Sequence, residues 1–153
     1  MSSIDAPFPL SWLSELARAA VTAITLGLGV TPLFIDLNRT HARHPLWPGH
    51  ARFHVVWQTV TAALCCAVEV ALLWWPGPYA AERFYLVALL TALPMLGFLV
   101  ALVTRRWYGG KLHDPQGVTP VTVRLGGRAV EVDMNAVLVV IATVILTAAV
   151  LVY

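Results

Sequence analysis

Apolar positions along the chain gather into four long blocks, at about 19–35, 55–75, 85–103 and 134–153, and the polar residues collect between them. Each block holds roughly 17 to 21 residues, enough at a rise of ~1.5 Å per residue to cross a hydrocarbon core of about 30 Å with little tilt. The pattern predicts four transmembrane α-helices forming one all-α integral-membrane bundle over 1–153. A different pattern stands between the third and fourth blocks. There VTVRL and RAVEV alternate apolar and polar positions around Gly126-Gly127, which predicts a β-hairpin at about 121–132. Pairing across the turn sets Val121 against Val132 and Val123 against Val130 on one face, with Thr122 against Glu131 on the other. A lone hairpin is marginal in water, so its valine face should pack on the helix ends or the bilayer surface.

Turn and interface residues mark the connections. Pro7 and Pro9 precede a stretch in which Trp12, Leu13 and Leu16 lie opposite Ser14 and Glu15, expected at the outer interface ahead of the first span. Pro45 and Pro48-Gly49 break the chain, and the second helix should restart near His50. Trp74, Trp75, Tyr79 and Tyr85 surround the short segment PGPYAAERF as an aromatic belt. Asp133 is placed to cap the fourth helix.

Composition agrees with the blocks. The chain is 59% hydrophobic and 12% charged, with a mean hydropathy of +0.76, too apolar to cover a water-facing surface with polar side chains. The first block is not expected to be a signal peptide, because its flank is acidic before Arg18 and no small-residue cleavage site follows it. Cys65 and Cys66 are adjacent mid-membrane residues that cannot easily bridge each other, and they read as small apolar side chains.

Charge sets the orientation. Eight of the ten basic residues, Arg39, Arg43, Arg52, Arg105, Arg106, Lys111, Arg124 and Arg128, lie in the first and third connections, whereas Arg18 and Arg83 lie on the other side. Basic loops resist translocation, so the histidine-rich first connection and the hairpin are expected in the cytoplasm and both termini outside, in a multi-pass protein of the cell membrane. The net charge of +2 is accounted for by this topology and gives no case for nucleic acid as a partner.

The stretch DLNRTHARHPLWPGHARFH carries four of the five histidines. The expected topology puts Asp36, Asn38, His41, His44, His50, His54, His113, Asp114, Asp133 and Asn135 on one side of a bundle only ~20 Å wide. His50 and His54, four apart, fall on one helical face, and Gln58 continues that stripe one turn deeper. Such imidazoles can act as acid and base, since histidine titrates near neutral pH. They can also hold a divalent metal, with His41, His50 and His54 as candidate ligands and His44, Asp36 or Asp114 in reserve. Against both stands the reading of each histidine as an interfacial anchor. His54 and Gln58 enter the second span, where unpartnered polar groups are costly, and are expected to face the interior.

Glu69 is a lone acid well inside a span, and Thr25, Thr91 and Thr147 fall at about its depth on the other three helices. The four predict one polar layer, serving either function or interhelical hydrogen bonding, with Arg18 as another candidate partner for the acid. His54 and Glu69 are about 22 Å apart along the helix axis, so they mark either two polar ends of one lipophilic cavity or a single site at one of them.

The motif carried by Asn38, Thr40, His41, Trp47, His50, Ala51, Phe53 and His54, N-x-T-H…W-x-x-H-A-x-F-H, resembles one shared by a group of uncharacterised four-span membrane proteins of fungi and bacteria. It covers about an eighth of the chain and implies no established activity. The chain is also similar to the emopamil-binding and sigma-2 receptor superfamily, four-span proteins that include a sterol isomerase. That likeness implies roles for an acid ending the first span, Asp36, and one in the second, Glu69; the histidine cluster is no part of its pattern.

The leading expectation is a small membrane enzyme acting on a lipophilic substrate by isomerisation, cyclisation or hydrolysis. His54 and His50 would supply acid and base, joined by Asp36 and Glu69, and Asp36 or Asp133 would orient an imidazole. Asn38, Gln58, Trp47, Asn135 and Asp133 would contact the substrate, and the hairpin would cover the site. The alternatives are a metal-dependent oxidoreductase and a non-catalytic protein that binds a lipophilic ligand or a partner. Small residues in the first and fourth spans leave a homodimer open.

Overall fold

A computed structural model describes residues 12–113 and 119–153. Its elements in chain order are α1 (Trp12–Ile35), α2 (Gly49–Trp74), α3 (Ala80–Thr104), β1 (Val121–Leu125), β2 (Arg128–Val132) and α4 (Met134–Val152). All four helices are long and apolar enough to cross a membrane. The expectations for Pro7, Pro9 and Asp114 lie outside the described residues.

α1 packs on each of the other three helices, α3 joins α2 and α4, and α2 and α4 make little or no direct contact. The α1–α3 pair is thus the spine, with α2 and α4 on opposite sides. Side chains facing away from this spine are apolar and exposed, such as Leu64, Val144 and, at 80%, Leu151. That is the inverse of a water-soluble bundle, and it fits an apolar surround.

The helix starts differ from the sequence boundaries in an informative way. α1 begins at Trp12 without a break before the span. Ser14 and Ala17 are the residues buried against the bundle, while Trp12 and Leu16 point outward at 74% and 57% exposure. The apolar side of that segment faces the surround because the small side chains are the ones that let neighbouring helices approach.

The packed core is centred in the half of the bundle that holds the α2–α3 turn. Val21, Leu73, Phe84, Val87, Met95, Leu146 and Ala149 form one buried cluster. It is closed at its end by Tyr153, whose ring stacks on Phe84 with centroids 3.6 Å apart. At this end α2 would leave its last carbonyls unpaired. Two arginines from elsewhere satisfy them. Arg18 Nη2 donates to Leu73 O at 2.8 Å while its guanidinium lies 4.2 Å from the Trp74 ring. Arg83 donates from Nε to Leu72 O at 3.0 Å, from Nη2 to Trp75 O at 2.8 Å and from Nη1 to Pro78 O. Both basic residues outside the two long connections therefore have structural work at the α2–α3 turn, and Arg18 does not pair with Glu69.

The hairpin has the expected register, Val121↔Val132, Thr122↔Glu131 and Val123↔Val130. Gly126 and Gly127 take φ of +55° and +82°, which the two central positions of a tight hairpin turn require and glycine adopts without steric cost. Its valine face does not settle on the helix ends. Val121, Val123 and Val130 stay exposed, and no helix packs on either strand to any extent. Asp133 caps α4 as expected, accepting a hydrogen bond from Ala136 N at 2.8 Å.

Candidate functional site: a groove along the second helix

α2 starts directly after Pro48, whose extended backbone forms its N-cap. This places His50 and His54 in the first two turns and on one face. Their Nε2 atoms are 3.0 Å apart, with the rings edge to face at a centroid distance of 4.5 Å. At that separation an Nε2 hydrogen on either ring can be donated to the lone pair of the other. His54 further stacks on Trp57, at 5.7 Å and 29°.

Below His54 a groove runs between α1, α2 and α3. A cavity of about 520 Å³ runs along α2, lined from that helix by His54, Trp57, Gln58, Thr61, Cys65, Cys66 and Glu69. α1 contributes Thr25, Leu28 and Gly29, and α3 contributes Leu90, Thr91, Leu93 and Pro94. The volume is in the range that holds a drug-sized molecule, roughly 300 to 1,000 Å³. Exposure of Trp57, Gln58, Thr61, Cys65 and Leu93 makes the cavity a groove with an open flank.

At its floor lies a short proton-donor chain. Thr91 Oγ1 donates to Glu69 Oε2 at 3.1 Å. Having spent its hydrogen there, Thr91 accepts from Thr25 Oγ1 at 2.8 Å. Glu69 Oε1 accepts from no described residue, yet no buried side-chain polar atom among them lacks a partner. Oε1 is therefore the carboxylate oxygen that reaches the cavity. The polar layer has three members, not four: Thr147 is exposed and donates to Thr143 O of its own helix at 2.8 Å.

Close helix contact shapes this floor. A Cβ on Gly29 would stand 2.2 Å from Cys66 Cβ and 3.1 Å from Ala62 O, so only glycine lets α1 lie this near α2.

The first connection, by contrast, folds on itself. Asn38 Oδ1 accepts from Thr40 N at 2.7 Å and from Thr40 Oγ1 at 2.6 Å. Asn38 Nδ2 donates to Phe34 O. His41 Nδ1 lies 2.8 Å from Thr40 Oγ1 and 3.9 Å from Asp36 Oδ1. Its ring meets Trp47 edge-on at 5.4 Å. His44 is buried, and its Nδ1 accepts from Leu46 N at 3.2 Å. Arg52 ties this loop to α2 by donating to Trp47 O at 2.9 Å and Pro45 O at 2.9 Å. Asp36, Asn38, His41 and Trp47 thus hold a turn together, and none of them lines the groove.

The single shared surface expected for all these groups resolves into two places. His54, Gln58 and Glu69 line one cavity and His50 touches His54, whereas Asp36, Asn38, His41 and Trp47 belong to the loop. Asp133 spends its carboxylate on the α4 cap, and Asn135 is exposed; neither lines the groove. Among the described residues no three His, Cys, Asp or Glu side chains stand close enough to hold a metal ion. His50 and His54 can offer two ligands, and His41 does not join them as a third.

Trp57, Thr61 and Cys65 are groove residues that the sequence reading left without a role. A signal for them exists: His54, Gln58, Thr61, Cys65 and Glu69 follow at spacings of four, three, four and four, one continuous stripe of polar and polarisable residues on an otherwise apolar helix. The partners from α1 and α3 carry no such mark. Comparison of the chain with protein-family models, with curated proteins and with solved structures gives no match in any of the three.

Proposed function

We propose that the chain is a multi-pass membrane enzyme that moves a proton on an elongated lipophilic substrate lying in the α2 groove. The observation that carries this reading is that one apolar cavity has His54 and Gln58 at one end and Glu69 with Thr91 at the other. A substrate entering sideways from the bilayer through the open flank would bury its hydrocarbon length between them. His54 is the acid-base group, and His50, 3.0 Å away, is its relay to solvent: as one ring gains a proton the other can give one up. Gln58, a turn deeper, holds a polar group of the substrate beside His54. Glu69 Oε1 accepts a hydrogen bond from a donor at the far end and sets how deeply the molecule sits. Removal of a proton at one carbon and its return at another is an isomerisation, which needs no oxidant, reductant or second substrate.

The eight basic residues of the two long connections support a histidine mouth on the cytoplasmic side, with both termini outside. The test compares lipid extracts of cells producing the wild-type chain with cells producing His54→Gln. The expected result is a lipophilic compound that changes retention but not mass in the wild type only. Identical extracts overturn catalysis, and the same lipophile bound to both purified proteins then marks a binding protein.

A further inference from the structure

The hairpin between α3 and α4 presents one face that nothing in the chain covers. Val121, Val123 and Val130 are 46%, 38% and 41% exposed, and they share a face with Val132 by register. The opposite face has company, because Glu131 lies 3.9 Å from His113 Nε2. A two-stranded sheet of five-residue strands has little stability of its own in water, so an uncovered valine face points to an apolar contact outside the fold.

Three observations select the occupant. Only Asp133 separates β2 from α4, a helix long and apolar enough to span a membrane, so the hairpin is tethered at the level where that helix meets the headgroups. The segment from α3 to α4 carries Arg105, Arg106, Lys111, Arg124 and Arg128, with Arg124 and Arg128 exposed beside the turn. Trp107 and Tyr108, just past α3, are exposed at 87% and 62%, the amphipathic ring types that settle at headgroup depth. Valines on one face, basic residues at the tip and aromatics at the base are the combination that binds an anionic lipid surface.

We infer that the hairpin docks valine face down on anionic phospholipid headgroups beside the mouth of the bundle, with Arg128, which shares the valine face by register, paired to phosphate. This rests on the insertion of the four helices and not on any catalytic role of the groove.

The test places the full chain, one copy per disc, in lipid nanodiscs that leave both membrane faces open, and follows tryptic cleavage after Arg124 and Arg128. With anionic lipid in the disc, cleavage should be at least ~10-fold slower than in zwitterionic discs, and high salt should restore most of the rate. The double variant Val123→Thr with Val130→Thr keeps strand propensity while removing the apolar face; its cleavage in anionic discs should rise to the zwitterionic rate. Equal rates in both lipids overturn the inference. So does protection that survives in the threonine variant, or protection in zwitterionic discs and detergent alike, which marks the protein itself as the cover. Protection confined to discs holding two copies assigns the face to a second chain and overturns it equally.

Discussion

The two halves of the bundle are built from similar helices and behave differently. In the half containing the α2–α3 turn, side chains from all four helices close into one cluster around Phe84, Val87 and Val21. Tyr153 stacks over it and two arginines fasten the end of α2. In the other half α2 turns a stripe of His54, Gln58, Thr61 and Cys65 toward a cavity, and the loops carry the polar chemistry. Glu69, Thr91 and Thr25 sit on the boundary. A bundle in an apolar surround gains little from simply gathering greasy residues, since the surround is equally apolar, and cohesion comes from close packing and from hydrogen bonds. Where both are present the bundle is solid. Where they are withheld a groove remains beside α2, with Gln58 and Thr61 exposed along it.

Substitutions ranked by effect can break this contrast. Phe84→Ala removes the centre of the closed half and should cost about 3 to 5 kcal/mol, read as the midpoint of denaturant unfolding in micelles. Leu93→Ala, on the groove wall, should cost well under half as much in the same assay; equal losses would mean that both halves are packed alike. Gly29→Ala forces α1 and α2 apart, because the new methyl would meet Cys66 Cβ at 2.2 Å. The expected loss is about 1 to 3 kcal/mol, accompanied by a wider floor detectable as faster labelling of Cys66. Thr91→Val takes from Glu69 the only donor it has among the described residues and should cost about 1 to 2 kcal/mol. Glu69→Gln, whose amide oxygen still accepts from Thr91, should change stability by less than ~1 kcal/mol.

The smallest effect is expected at the mouth. His54→Gln should move stability by no more than ~0.5 kcal/mol while abolishing the proton chemistry proposed for it. A large loss of stability in His54→Gln would make that histidine a structural residue.

The elements were largely legible because each rests on a local rule. Long apolar blocks set the four helices, Gly-Gly between alternating strands set the hairpin and its register, and Asp133 ahead of an apolar run marked a cap. The site was legible in part. The spacing of His50, His54 and Gln58 identified one wall, and the depth of Glu69 identified the floor. What misled was nearness in sequence. Asn38, His41 and Trp47 lie close along the chain to His50 and His54, yet their hydrogen bonds and ring contacts turn inward on the loop, since a short connection must satisfy its own exposed backbone. Thr147 illustrates a second gap, because equal depth on a helix says nothing about which way a side chain faces.

By itself the sequence determined where the chain is apolar enough to cross a membrane, where it turns, and which side chains could carry chemistry, for these depend on composition and on periods of two and 3.6 residues. Tertiary structure alone decided that Glu69 and His54 open onto one cavity, that Arg18 and Arg83 serve the α2 carbonyls, and that the loop histidines stand apart from the pair on α2. Those outcomes depend on helix rotation and separation, which are fixed by contacts such as Gly29 against Cys66 and Thr25 with Thr91 between residues far apart in the chain.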